Sequence, residues 1–101
     1  MAFKIIVKKR FTNKLIKLLY YLEAEWGKPV ADRFVDKLEK RLDSLSQQPF
    51  TGAESEYFKN VRSILITRHN RLYYRIKEST IEVINLYDTR MNPKRNPYLK
   101  K

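Results

Sequence analysis

The sequence predicts an α+β domain: an N-terminal strand, an antiparallel helical hairpin, then a three-stranded antiparallel meander in one twisted sheet, with a basic C-terminal tail. Three observations carry that prediction. Residues 61–68, 72–77 and 81–88 are runs rich in Ile, Val, Leu, Tyr and Thr, separated by the polar triplets His69-Asn70-Arg71 and Glu78-Ser79-Thr80, which is strand-and-turn patterning and not helical patterning. Residues 13–45 hold two stretches with apolar side chains at helical spacing, broken at Gly27. At 101 residues, the chain is long enough for one core and too short for two.

Taken in order, Phe3, Ile5 and Val7 alternate with Lys4, Ile6 and Lys8, which predicts a fourth strand, partly buried on both sides. Thr12 reads as a helix N-cap, followed by Leu15, Leu18, Leu19, Leu22 and Trp26. Gly27 offers a C-cap, and Pro29 fits the first turn of a second helix. There Val30, Phe34, Leu38, Leu42 and Leu45 form an apolar stripe. Asp32, Asp36, Lys40 and Asp43 lie opposite it, with Asp36 and Lys40 spaced for an ion pair. The apolar side of this hairpin is the cover for the sheet. Residues 53–60 read as a polar connection.

The triplets set the expected register. As three-residue loops they pair Arg68 with Leu72, Ile66 with Tyr74, Tyr74 with Ile84, and Leu72 with Leu86. One face then carries Ile64, Ile66, Leu72, Tyr74, Ile76, Ile84 and Leu86. The other carries Leu65, Thr67, Tyr73, Arg75, Lys77, Val83, Asn85 and Tyr87. Two-residue loops would shift the parity and scatter the apolar residues over both faces, so the hydrophobic pattern prefers three-residue loops. Residues 89–101 contain two prolines, five basic groups and no acid. They predict a partly ordered tail that folds along the sheet edge or onto a partner.

Charge is distributed unevenly. Of a formal +11, residues 57–101 supply 11 basic and 3 acidic groups, whereas residues 1–56 supply 11 and 8. This asymmetry points to a polyanion or an acidic protein partner. Cysteine is absent, which excludes disulfides and thiolate metal sites and fits a reducing cytoplasm. No segment has the length and apolarity of a signal peptide or a membrane span. His69 is the single histidine and the carboxylates sit mainly at helix-surface spacing, where solvated charge explains them better than a metal centre. A histidine-based triad has no base but a hairpin-tip residue, and with Gly27 and Gly52 as the only glycines a glycine-rich phosphate loop is excluded. No cofactor is expected.

What remains is a basic-aromatic surface of Arg62, Arg68, Tyr73, Arg75, Lys77, Tyr87 and Arg90. Guanidinium groups bind phosphate and tyrosine rings stack on bases. Clustered Arg, Lys and Tyr can also support RNA cleavage through the 2′-hydroxyl, by proton transfer and by stabilising the phosphorane. The competing structural explanation carries about equal weight: Tyr74 in the core, Tyr73 packing across strands, and arginines as solvated edge protection.

The order of elements, the stretch Arg68-His69-Asn70-Arg71-Leu72-Tyr73-Tyr74-Arg75-Ile76 and the segment Leu86-Tyr87-Asp88-Thr89-Arg90-Met91-Asn92-Pro93 resemble the RelE/ParE superfamily of type II toxin–antitoxin toxins. The resemblance implies a twisted antiparallel sheet and a cognate antitoxin that is acidic or brings an amphipathic helix or strand. It implies one of two activities: RelE-like members are ribosome-dependent endoribonucleases that cut mRNA in the A site, and ParE-like members inhibit DNA gyrase without catalysis. On the first reading Arg62, Arg75 and Arg90 hold the scissile phosphate, Tyr87 or Lys77 transfers a proton, and Arg68, Tyr73, Lys94 and Arg95 contact RNA, with ribosome and mRNA as partners and translation as the inhibited process. That reading leads, narrowly, on the basic excess of sheet and tail. Two features depart from the ribonuclease pattern: Lys59 is the only basic residue in 51–60, where Glu54 and Glu56 are the available substitutes, and His69 sits at a hairpin tip. A third alternative is a degenerate module that binds only antitoxin and DNA.

Overall fold

The structure, a computed structural model, describes residues 2–99. The chain runs through β1 (Lys4–Val7), α1 (Lys9–Trp26), α2 (Lys28–Gln47), a 3-10 turn at Pro49–Thr51, β2 (Ala53–Glu54), β3 (Val61–Thr67), β4 (Asn70–Lys77) and β5 (Thr80–Asp88). Two further 3-10 turns, Pro93–Arg95 and Pro97–Leu99, follow. The sheet has five strands in the order β1-β5-β4-β3-β2. The meander forms its centre, and β1 joins β5 in parallel. β2 lies inside the stretch that reads as a polar connection, pairing Ala53 with Ser63 and Glu54 with Arg62. Two residues are too few for a period-2 signal.

The helices obey their apolar stripes except at Trp26, which is exposed, and Val30, which lies outside the core, and not all of their expected ends hold. α1 begins at Lys9 and not after Thr12, because β1 hands over to it directly. The N–H of Lys8 donates to the Val83 carbonyl at 2.9 Å, and its carbonyl accepts from the N–H of Thr12 at 3.1 Å. Phe11, in this first turn, is a fully buried anchor. Gly27, at φ +92°, serves as both the C-cap of α1 and the N-cap of α2, a conformation that glycine adopts without a steric penalty. The ion pair on the outer face of α2 forms between Lys28 and Asp32 at 3.0 Å, in place of the expected Asp36–Lys40 pair.

Both hairpin loops are shorter than expected. Thr67 pairs with Asn70 around Arg68-His69, and Lys77 pairs with Thr80 around Glu78-Ser79, with Glu78 at φ +56°. Two-residue loops alone would put Ile64 opposite Tyr73 and Leu72 opposite Asn85, splitting the apolar residues between faces. Two bulges prevent this. Ile66 is the extra residue in β3 and Ile84 the extra residue in β5, so that Ile64 pairs with Leu72 and Leu72 with Leu86, while Tyr74 takes Val83 in place of Ile84. Arg62, and not Ile66, is the β3 partner of Tyr74.

The core consequently gathers Ile64, Ile66, Leu72, Tyr74 and Leu86 as expected, adds Ile81 and Val83, and closes with Phe11, Phe34, Leu38 and Leu45 from the helices. Ile84 moves to the other face, where it clusters with Val61 and Tyr73. Among the described residues, no helix is long and apolar enough to cross a membrane.

Tyr74 has no exposed surface. Its hydroxyl donates to the Pro49 carbonyl at 2.7 Å and accepts from the Gly52 N–H at 3.1 Å. These bonds fasten the chain between α2 and β2 onto the sheet. Gly52 approaches so closely that an added Cβ would stand 2.8 Å from the Ser63 carbonyl oxygen and overlap the tyrosine hydroxyl. Tyr74→Phe is expected to cost about 1–3 kcal/mol by leaving a buried carbonyl and amide without their shared partner. Gly52→Ala is expected to cost about 1–3 kcal/mol by overpacking. Both are read as a fall in thermal midpoint of roughly 4–8 °C per kcal/mol; an unchanged midpoint for either refutes this anchoring.

Candidate functional site

The helices cover one face of the sheet, and the C-terminal segment straps part of the other. Asn96, almost wholly buried, donates from Nδ2 to the Tyr73 hydroxyl at 3.1 Å and accepts from the N–H of Tyr98 at 2.9 Å. The Tyr98 ring stacks on Tyr73, 4.2 Å between centroids at 16°. Tyr87 meets both rings edge-on at 6.0 and 6.1 Å, and Phe58 meets Tyr98 at 5.3 Å. Such aromatic contacts each contribute about 0.5–1.5 kcal/mol beyond the area they bury. Tyr73, expected to stack on RNA bases, is therefore only 3% exposed.

The arginines expected to share a phosphate do not meet. Arg62 lies opposite Tyr74 and so shares the face of that ring. Its guanidinium donates to the Phe50 and Gly52 carbonyls at 3.1 and 2.8 Å and to Glu54 at 2.7 Å, which holds β2 in place. Arg75, on the open face, pairs with Glu82 at 3.6 Å, and Lys8 approaches the same carboxylate at 3.7 Å. Arg90 is folded onto Asp88 at 2.8 and 3.1 Å, beside a groove that also includes Tyr21, Phe34 and His69. Glu82 and Asp88 are six residues apart on β5, or about 20 Å of strand.

The other expected site residues are also dispersed. Arg68 lies in the turn with its Nε 3.3 Å from the His69 ring. Lys77 is exposed at the far end of β4. Lys94 and Arg95 are exposed on the turn that leads into the strap.

Arg71, expected in a loop, belongs instead to β4 and lies directly opposite Tyr87 on one side and Leu65 on the other. Half-buried, it donates to the Ser63 hydroxyl at 2.9 Å. Arg71 and Tyr87 help to line an open cleft of about 540 Å³ between residues 53–57 and the strap, with Tyr57, Met91 and Tyr98 among its walls. The loop length concealed Arg71. The strap had a faint signal in Pro93 and Pro97, each of which opens a 3-10 turn.

Ionisation follows from these contacts. Burial, and then the neighbouring Tyr98, hold the Tyr87 phenol above the ordinary tyrosine range. Lys14, whose ammonium lies 3.4 Å over the Tyr87 ring, is lowered by burial and then by Arg10 and Lys17. The hydrogen bond from Arg90 holds Asp88 below the ordinary carboxylate range. Among the described residues, no group of three or more His, Asp or Glu side chains could hold a metal ion.

The chain matches the family model for the ParE toxin of the type II toxin–antitoxin system parDE over residues 5–93. It belongs to that family, within the RelE/ParE superfamily. Among solved structures it is similar to a protein of the chromosomal ParDE system from P. aeruginosa, at 16% identity and a TM-score of 0.73, covering 86% of this chain and 96% of that one. It also resembles a YoeB/ParE toxin from Agrobacterium tumefaciens, at 20% identity and a TM-score of 0.60, covering 84% and 96%. A third is a chain of the E. coli DinJ–YafQ toxin–antitoxin complex, at 12% identity and a TM-score of 0.60, covering 87% and 93%. At such identities the likeness concerns the fold. No curated protein matches the chain in sequence.

The Tyr74 and Tyr87 phenols are both raised, burial being the largest cause. A raised value favours the neutral phenol in the folded state, so this contribution is fully present below about pH 10 and is lost as pH rises through the folded values. Ultraviolet difference titration is expected to show a late-ionising component that shrinks in Tyr87→Phe. Loss of an early component instead would refute the assignment.

Proposed function

We propose that this ParE-family toxin inhibits growth by gripping a protein target, DNA gyrase, and not by cutting RNA. The observation that carries this reading is the dispersal of Arg62, Arg75 and Arg90, each facing its own carboxylate. In-line cleavage of RNA needs its cations and proton-transfer groups at one phosphate, because preorganised charge acts over a few ångströms. The raised Tyr87 phenol is likewise poorly matched to accepting a proton at neutral pH. The ParE family match supports the same reading.

One observation favours the ribonuclease alternative: Arg71 and Tyr87 stand opposite each other in an open cleft. They supply one cation and one phenol, fewer groups than the chemistry asks for. On either reading a cognate antitoxin is the expected partner, as in the DinJ–YafQ complex, and the net charge of +11 favours an acidic one.

Purified toxin is expected to block plasmid supercoiling by gyrase, and its induction in cells to raise an SOS response with mRNA left intact. Arg75→Ala and Arg90→Ala are expected to keep full toxicity. Codon-phased mRNA cuts with normal supercoiling, or loss of toxicity in those folded variants, would contradict the proposal.

A further inference from the structure

The geometry points to the cleft around Arg71 as the place where a protein partner inserts a single carboxylate side chain flanked by apolar residues. This rests on the reading above, in which the target is a protein, and identifies the surface that grips it.

Glu54 is taken by Arg62 and Asp88 by Arg90, and outside the cleft Arg75 is taken by Glu82. Arg71 has no carboxylate partner among the described residues. Its one hydrogen bond there, to the Ser63 hydroxyl, leaves most of the five N–H donors of its guanidinium unused. The side chain is half-buried, and its remaining donors stay accessible from the open cleft. An incoming carboxylate would satisfy two of them at once.

The walls fix the kind of ligand. Tyr57, Met91 and Tyr98 present aromatic and apolar surface beside the guanidinium, which lowers the local dielectric and strengthens a charge-assisted bond. Tyrosine and arginine together are the composition of interface hot spots. The acidic groups at the cleft decide between a protein and a nucleic acid. Glu54, Glu56 and Asp88 all help to line it; Arg62 and Arg90 neutralise the first and last, which leaves Glu56 to oppose a strand that carries a phosphate at every nucleotide. One carboxylate between apolar neighbours meets only Arg71. A volume of about 540 Å³ is ample for one such side chain and its neighbours.

The test is inhibition of supercoiling by purified gyrase holoenzyme, with the full-length toxin and its variants checked for folding by thermal melting. Arg71→Gln is expected to raise the half-inhibitory concentration by at least about tenfold, as the loss of a hydrogen bond to a charged group demands. Arg71→Lys is expected to fall between the two. Tyr57→Ala, at the exposed rim, is expected to weaken inhibition in the same direction without touching the core, which keeps the test valid if Arg71→Gln folds poorly. Inhibition by wild type with no loss in Arg71→Gln, or in Arg71→Lys and Tyr57→Ala if the glutamine variant does not fold, would overturn the cleft while leaving gyrase as the target. Failure of wild type to inhibit gyrase would overturn both. If a short single-stranded oligoribonucleotide binds wild type and loses its affinity in Arg71→Gln while gyrase inhibition is unaffected, the cleft belongs to nucleic acid and the proposal falls.

Discussion

Two single-residue bulges, at Ile66 and Ile84, let tight turns coexist with one apolar sheet face. A two-residue turn reverses the chain with little entropy cost but fixes the parity of every residue beyond it. Here that parity would bury the wrong half of each strand. Each bulge adds one residue and restores it, and so decides what the helices cover and what stays open.

The chemistry of the surface descends from that choice. Extending β4 to Asn70 brings Arg71 onto the ladder opposite Tyr87, and pairing Arg62 with Tyr74 sends its guanidinium to the loop over Gly52. The bulge at Ile84 places that residue with Tyr73 and Val61, forming the apolar floor on which Tyr98 lands. The strap then closes part of the open face and leaves a cleft in which Arg71 is uncommitted. A surface that composition alone makes basic becomes, once folded, a set of local ion pairs around a cleft whose Arg71 has no carboxylate partner among the described residues.

Much of the fold was legible because it rests on periodicity. Leu15, Leu18, Leu19 and Leu22, and the stripe from Val30 to Leu45, all pack against the core or lie in it except Val30, and Gly27 with Pro29 marks the helical turn. Leu72 and Leu86 pair as expected. The parts that stayed hidden depend on interactions distant in sequence. β2 exists because Arg62 and Tyr74 hold it, and its two residues have no pattern of their own. The loop lengths depend on bulges, which change the count without changing composition. The site was less legible still, since charge in a sequence does not reveal which carboxylate each arginine will find: Arg62 looked like a phosphate ligand and is a structural tie, while Arg71 looked like a turn residue and lines the cleft.

The open cleft depends on one arrangement, in which Arg71 faces Tyr87 beneath a strap whose Tyr98 lies flat on Tyr73. Nuclear Overhauser contacts in solution measure this directly. Cross-strand backbone contacts between Arg71 and Tyr87 are expected, together with ring-to-ring contacts between Tyr73 and Tyr98. Contacts from Arg68 to Leu72 across a three-residue loop, or a Tyr98 ring with no contact to Tyr73, would contradict it.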